Sequence, residues 1–148
     1  MITLRRMNES DLPLLAQLER ENFSDPWSKD AFREELDVPY SLTLVAEADG
    51  SVAGYLNAHI VYENIHINTF CVAAPFRKQG IGRKLLEETL GLAARSGAVE
   101  ATLEVRAGNE AAQRLYRAAG FVPVGIRKGF YRVPTEDALI LKKEFPHD

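Results

Sequence analysis

The sequence lacks the means to form an internal disulfide, because Cys71 is the only cysteine among its 148 residues. It also lacks an apolar run of about eighteen residues, the length with which a helix crosses a bilayer. Its first residues carry no apolar core of the kind found in signal peptides. These absences predict a protein of a reducing compartment, which we take to be the cytoplasm, with no membrane partner.

Metal ligands are equally scarce. The three histidines, His59, His66 and His147, are scattered and do not combine with Cys71 into a spacing typical of a metal site. The net charge of −3 argues against general binding to nucleic acid. We therefore expect no metal and no nucleic-acid partner.

The charge is unevenly distributed along a chain of ordinary globular composition. Residues 1–50 hold 5 basic and 11 acidic residues, a net of −6, whereas residues 51–148 hold 13 and 10, a net of +3. This asymmetry indicates either two partners of opposite sign or helices with solvated acidic faces, and both explanations remain open. The length is that of one domain, so we expect a single domain over residues 1–148.

The hydrophobic pattern predicts a definite order of elements. A strand, two helices and three strands come first, followed by a helix, a strand, a helix and two final strands. Their expected ranges are 2–7, 12–23, 29–36, 42–48, 52–61, 65–72, 82–96, 101–105, 109–119, 121–131 and 138–143. Because the strands do not strictly alternate with helices, the order predicts a mixed α/β fold with a central crossover.

The most specific feature is a basic, glycine-containing loop between the third central strand and the next helix, with the sequence Arg77-Lys78-Gln79-Gly80-Ile81-Gly82-Arg83-Lys84. Two glycines let the backbone approach a ligand closely, and a helix N-terminus favours an anion, so the loop suits a diphosphate. The spacing does not fit a P-loop. It does not fit the dinucleotide fingerprint either, because Leu85 stands where a third glycine is needed.

In its Arg77-x-x-Gly80-x-Gly82 pattern the loop resembles that of the GNAT acetyltransferases, whose loop amides bind the pyrophosphate of coenzyme A. This resemblance implies acetyl-CoA as co-substrate. It also implies a mixed α/β GNAT fold, in which a mostly antiparallel sheet of about seven strands is flanked by four helices. A parallel pair of strands is then expected to splay apart at the acetyl-CoA site.

Acetyl transfer to an amine requires a neutral amine, a polarised thioester and a proton for the departing thiolate. Glu104, in an otherwise apolar strand, is a candidate base, but it could equally face solvent with Thr102 and Arg106 and pair with that arginine. Tyr116 could supply the proton, although a buried packing role is the commoner fate of such a tyrosine. Asn109 is either a helix cap or a contact to the pantetheine arm.

A longer stretch extends the resemblance to one branch of the family, the RimI-type ribosomal-protein-alanine N-acetyltransferases. The run Leu103–Ala112, with Leu115-Tyr116 and Gly120-Phe121, is similar to a motif of that branch. The resemblance implies that Glu104 is the general base, Tyr116 the general acid and Asn109 a ligand of acetyl-CoA. Further residues implied to bind acetyl-CoA are Phe70, Cys71, Val72, Lys78, Gln79, Gly80, Ile81, Gly82 and Arg83.

Two further segments resemble the branch and implicate Trp27 and Tyr131 in acceptor binding. The chain departs from the branch at Arg77 in the glycine loop, where glutamine is common, and at Phe130-Tyr131, which replaces a tyrosine pair. Cys71 lies inside a strand without a histidine motif, so we interpret it as a buried thiol and expect direct transfer in a ternary complex.

The acceptor is predicted partly from chemistry and partly from the resemblance. An α-amine has a pKa of about 8 and lysine about 10.4, so a single carboxylate base favours an N-terminal amine. The resemblance implies the N-terminal alanine of a small-subunit ribosomal protein. A small amine, a protein lysine or a non-catalytic acetyl-CoA-binding module are the alternatives, and the oligomeric state is not predicted.

Overall fold

The computed structural model describes residues 1–146, and His147 lies outside the described residues. Within this range one seven-stranded sheet has the order β1-β2-β3-β4-β5-β7-β6. The bounds are β1 Ile2–Arg6, α1 Leu12–Asn22, α2 Lys29–Glu35, β2 Ser41–Ala48, β3 Ser51–Val61, β4 Asn64–Val72, α3 Ile81–Arg95, β5 Glu100–Arg106, α4 Glu110–Ala118, β6 Val122–Tyr131 and β7 Glu136–Glu144. The predicted order of elements and the mixed α/β fold are confirmed, with shifts of a few residues at the ends.

The sheet contains one parallel pair, β4 with β5, and its other pairs are antiparallel. The parallel pairing runs only from Asn64↔Glu100 to His66↔Thr102. Just beyond it, β4 carries a register shift against β3, at Asn57/Ala58. The two strands therefore separate after His66, and the predicted splayed pair is confirmed.

The two faces of the sheet are covered by different helices. The apolar side of α3 packs on one face, where Leu85 and Leu86 are buried among β2, β3 and β5 residues. On the opposite face α1 and α2 bury Leu15 and Phe32 against Val45 and other residues of the first half of the sheet. The second half of this face is left open, which gives the candidate site its space.

The carboxylate of Glu19 is buried between α1 and the sheet, with a side chain only 1% exposed. It accepts hydrogen bonds from the Tyr55 hydroxyl at 2.7 Å, the Thr69 hydroxyl at 2.5 Å and the Trp27 amide at 2.9 Å. A buried carboxylate requires such donors, because its desolvation otherwise costs several kcal/mol. The buried position of Glu19 differs from both explanations offered for the acidic residues of the first third, which were a charged partner and a solvated helix face. Its contacts instead join α1 to β3, β4 and the segment that follows α1.

Gly54 marks a close approach of β3 to β4. A Cβ atom there would lie 2.7 Å from the Cys71 carbonyl oxygen and 3.3 Å from the Val72 Cα, both atoms of backbone that cannot move independently. In contrast, a Cβ on Gly91 in the middle of α3 would first meet the terminal guanidinium of Arg95, at 3.1 Å. That side chain is flexible and can give way.

We predict opposite effects for alanine at these two glycines. Gly54→Ala should lower the free energy of unfolding by about 1–3 kcal/mol, because the added methyl overpacks two strands. Gly91→Ala should raise it by about 0.5–1 kcal/mol, because alanine is the better helix former. Urea unfolding of both variants measures this, and equal effects would contradict the packing described.

Candidate functional site

Two cavities open where β4 and β5 separate, with volumes of about 600 Å³ and 680 Å³. The first is lined by Glu19, Trp27, Glu104 and Tyr131 among others, and we call it the acceptor cavity. The second is lined by the glycine loop and β4, and we call it the loop cavity. The cavities meet at shared lining residues, which are Asn22, Phe23, Phe70, Asn109, Ala112 and Tyr116.

The predicted residues divide between these two spaces. Those around the loop cavity are Phe70, Cys71, Val72, Lys78, Gly80, Ile81, Gly82, Arg83 and Asn109. Gln79 is the exception, since it lies outside both linings and its side-chain amide donates to the Pro75 carbonyl at 3.4 Å. Glu104, Trp27 and Tyr131 line the acceptor cavity, and Tyr116 lines both.

The glycine loop begins α3 in a conformation suited to an anion. Gly80 is the N-cap residue, with φ +82°, a left-handed conformation that glycine adopts readily. Since glycine has no side chain to accept from the first-turn amides, these N–H groups and the helix dipole remain available to a phosphate. Ile81 is buried and anchors the turn in the core.

Of the basic residues near the loop, Arg77 is directed elsewhere. Its guanidinium donates to the Val72 carbonyl at 3.1 Å and to the Asn22 side chain at 2.6 Å. Arg83 forms an exposed ion pair with Glu87 at 2.7 Å. Arg77 therefore ties β4 to α1, while Lys78 lines the loop cavity beside the main-chain amides of the loop.

The free edge of β4 provides a second anchoring element. Because β5 pairs with β4 only as far as His66, the segment Phe70-Cys71-Val72 has no β5 partner on its open side. Its backbone N–H and C=O groups on that side can pair with an extended ligand in the manner of an added strand. This edge borders the loop cavity.

Glu104 extends from β5 into the acceptor cavity, with a side chain 14% exposed. Its Oε2 lies 3.1 Å from His66 Nε2, and its Oε1 lies 3.8 Å from Arg127 Nε. The hydrogen bond with His66 lowers the pKa of Glu104 against the opposing effect of burial, so the carboxylate is ionised near neutral pH. The alternative pairing with Arg106 is wrong, because that arginine pairs with Glu136 at 3.1 Å.

Tyr116 has a packed ring and a hydroxyl at the junction of the two cavities. Its ring is 7% exposed and packs against Phe70 and Phe121, with centroids 6.2 Å and 5.7 Å away. Within residues 1–146 its hydroxyl makes no hydrogen bond, and it is not among the buried orphaned groups. Burial raises the pKa of Tyr116, so the phenol keeps its proton at the junction of the two cavities.

Asn109 and Cys71 have clear local roles. The Asn109 side chain caps α4 by accepting from the Ala112 amide at 3.1 Å, while the residue also borders both cavities. Cys71 is buried, and desolvation raises the pKa of its thiol to about 11. Such a thiol is protonated near neutral pH and is a poor nucleophile.

Trp27 and Tyr131 lie on different walls of the acceptor cavity. The Trp27 ring packs against Phe32 at a centroid distance of 5.1 Å, which fixes it to α2. Burial and the nearby Glu104 charge raise the pKa of Tyr131 to about 12. Both of these side chains are therefore aromatic and uncharged near neutral pH.

Arg106, on β5, joins the two walls and was not predicted as a site residue. Its Nη2 donates to the Ser24 hydroxyl at 2.7 Å and to the Arg132 carbonyl at 3.1 Å, and its Nη1 donates to the Pro134 carbonyl at 3.1 Å. The guanidinium also lies 4.5 Å from the centre of the Tyr131 ring. One side chain thus connects the α1–α2 segment to the β6–β7 turn, and we call this group the Arg106 clamp.

Over residues 1–146, no three His, Cys, Asp or Glu side chains lie close enough together to hold a metal ion. No helix there combines the length and apolarity needed to span a bilayer.

Comparison with known proteins places this architecture among well-described relatives. Residues 12–121 match the family described as the acetyltransferase (GNAT) family. The chain is 35% identical to the N-alpha-acetyltransferase RimI of Mycobacterium tuberculosis, over 97% of this chain and 92% of that protein. It is 34% identical to the ribosomal protein bS18-alanine N-acetyltransferase of Salmonella typhimurium, over 95% of this chain and 96% of that protein.

A solved structure with the same fold is the ribosomal-protein-S18-alanine N-acetyltransferase from Escherichia coli. The TM-score is 0.92 at 28% identity, covering 100% of this chain and 96% of that chain. The similarity in sequence and fold thus extends over nearly the whole chain.

We predict that Arg106→Gln loosens the clamp. The free energy of unfolding should fall by about 2–3 kcal/mol, because several charge-assisted hydrogen bonds lose their donor. Tryptic cleavage after Arg132 should accelerate as the β6–β7 turn separates from Ser24, as measured by timed digestion and mass spectrometry.

Arg33→Gln is the matched control. This arginine makes only exposed ion pairs with Glu9 and Asp30, at 3.3 Å and 3.1 Å, so its loss should cost less than about 0.5 kcal/mol. Equal stability and equal cleavage of the two variants would show that the clamp holds nothing together.

Proposed function

This chain belongs to the GNAT acetyltransferase family, and on that premise we propose that it transfers the acetyl group of acetyl-CoA to the α-amine at a protein N-terminus. The observation that carries the proposal is the meeting of two cavities at Tyr116. One cavity leads from the anion-binding loop, and the other contains the ionised Glu104. A thioester and an amine entering from opposite sides would meet at this junction.

The residues that would hold acetyl-CoA are those of the loop cavity. The α3 N-terminal amides from Ile81 to Arg83 suit the pyrophosphate, and the open edge at Phe70-Cys71-Val72 suits the amide-bearing pantetheine arm. Once bound, acetyl-CoA supplies an activated thioester carbonyl. Because the Cys71 thiol is buried with a raised pKa, the chemistry favours direct transfer in a ternary complex over an acyl-enzyme.

Glu104 is proposed as the base that removes a proton from the amine, directly or through a water molecule. Its ionised state near neutral pH fits this role, and its position in the acceptor cavity leaves it open to the incoming amine. Removing a proton from an α-ammonium group costs about 3 kcal/mol less than removing one from a lysine side chain, because their pKa values differ by about 2.4. This difference favours an N-terminal acceptor.

Tyr116 is proposed as the acid that protonates the departing thiolate. Burial keeps its phenol protonated near neutral pH, so the proton is present when the thiolate leaves. The same low-dielectric setting raises the proton affinity of a thiolate formed at the junction of the cavities, which would take that proton. The hydroxyl needs no rearrangement, because no hydrogen bond to residues 1–146 has to be broken first.

The acceptor is proposed to be the N-terminal alanine of ribosomal protein bS18, in the cytoplasm, and the acting unit to be one domain over residues 1–148. Support comes from the Salmonella relative, which carries that substrate in its name and matches nearly the full length of this chain. The aromatic side chains of Trp27 and Tyr131 also offer apolar surface against which a short extended peptide can lie.

We predict that thiol release from acetyl-CoA depends on a free N-terminal alanine. Three acceptors should be compared, which are a basic alanine-starting peptide, the same peptide with a blocked N-terminus and an internal lysine, and spermidine. Turnover should occur with the first acceptor. Turnover with only the second or third would replace N-terminal acetylation by lysine or small-amine acetylation.

A second prediction concerns the base. Glu104→Gln should lower kcat by about 10² to 10⁴, the range typical for loss of a general base, with acetyl-CoA affinity nearly unchanged. Glu100→Gln is the matched control on the same strand, where the carboxylate forms an ion pair with Lys142, at 3.5 Å, and with no other group of residues 1–146. Equal turnover of the two variants would remove Glu104 from the proton-transfer step.

A further inference from the structure

The candidate base has a histidine partner that the proposed reaction leaves unused. His66 stands at the last paired position of the parallel strands, opposite Thr102. Its Nε2 lies 3.1 Å from Glu104 Oε2, and its Nδ1 lies 2.8 Å from the Thr102 hydroxyl oxygen. Its side chain is 40% exposed, so it can exchange protons with water.

Thr102 allows the ring to keep both contacts in either charge state. When His66 is an imidazolium, both nitrogens donate, one to Glu104 and the other to the Thr102 oxygen. When the ring is neutral with its proton on Nε2, that nitrogen still donates to Glu104, and the threonine hydroxyl turns to donate to Nδ1. The carboxylate therefore keeps its orientation while the charge beside it changes.

Protonation of His66 changes the net charge of the groups around Glu104. Arg127 already lies 3.8 Å from the other carboxylate oxygen, and the Tyr131 phenol is neutral because its pKa is raised to about 12. With a neutral His66, the local charges are one carboxylate and one guanidinium. Protonation adds a second positive charge at the group that must accept a proton from an ammonium.

The remaining charged groups on this face have partners of their own. His59, opposite His66 on β3, binds Glu35 at 2.5 Å. Lys142, opposite Thr102 on β7, lies 3.5 Å from Glu100 and 3.6 Å from Glu144. His66 is therefore the group whose own protonation changes the charge directly at Glu104 between pH 5 and 8.

We infer that His66 is a positioning residue that orients Glu104 and, by its own protonation, sets whether Glu104 can accept the proton of the amine. The inference rests on the proposed function and adds to it a residue and a pH dependence. The neutral ring leaves Glu104 competent. The imidazolium weakens it as a base and repels the ammonium form of the acceptor.

The test is the pH dependence of kcat/KM for His66→Gln relative to wild type, with the alanine-starting peptide, from pH 5.5 to 8.5. Glutamine retains a donor near the Nε2 position but carries no charge. The ratio of the variant to wild type cancels the ionisation of the peptide amine. Because an imidazole takes up a proton within this pH range, this ratio should rise about tenfold from pH 8.5 to pH 5.5.

The His66→Asn variant distinguishes the orienting role of the His66 side chain from the effect of its charge. Its shorter side chain loses the contact to Glu104 but is also uncharged, so kcat/KM should be lower at pH 8.5 while the ratio to wild type still rises about tenfold toward pH 5.5. It also carries the test if the glutamine variant does not fold. Acetyl-CoA affinity, measured by calorimetry, verifies that each variant retains its loop cavity.

His59→Gln is the matched control, because it removes the neighbouring histidine–carboxylate pair on the same face. Its ratio to wild type should stay within about twofold over the whole range, since an exchange at a separate pair leaves Glu104 unchanged. If the ratio of kcat/KM to wild type does not change with pH for either His66 variant while the enzyme remains active, the inference about His66 is wrong and the proposed function is unaffected. Absence of wild-type turnover with every acceptor overturns the proposed function, and the inference with it.

Discussion

The short parallel pairing of β4 with β5 is the constraint on which the candidate site depends. After His66 and Thr102 the two strands separate, and the register shift of β4 against β3 lies directly at this point. The separation frees the edge of β4 for an extended ligand and leaves Glu104 facing open space on β5. Had the pairing continued along both strands, backbone hydrogen bonds would have filled the gap that the two cavities share.

Charged groups around this gap serve the fold as much as the chemistry. Glu19 fixes the base of the acceptor cavity with three hydrogen bonds, and Arg106 holds its two walls together. Each is satisfied by donors or acceptors from other segments of the chain. The rigid shape of the cavity thus depends on polar contacts, whereas the loop cavity depends on the apolar anchoring of Ile81 in the core.

Much of the fold could be predicted from the sequence, because its signals are local. Alternation and helical periodicity gave the order of the elements, and the spacing of Gly80 and Gly82 indicated the anion-binding turn. The roles of Arg106, His66 and Glu19 could not be predicted in the same way. Their partners lie far along the chain, as Ser24 lies 82 residues from Arg106 and Thr69 lies 50 from Glu19. A lone histidine or a glutamate within a helix carries no local mark of such contacts.

The same fold sets the charge states of two titratable groups in opposite ways, which fits the base and the acid proposed for them. His66 and Arg127 lower the pKa of Glu104, whereas enclosure between aromatic rings raises the pKa of Tyr116. One group is therefore ready to accept a proton and the other retains one to give, at the place where the two cavities meet. Cys71 is buried with its pKa raised to about 11, so it cannot compete as a nucleophile. Proton transfer at the two ends of a single direct displacement is the chemistry that this arrangement favours.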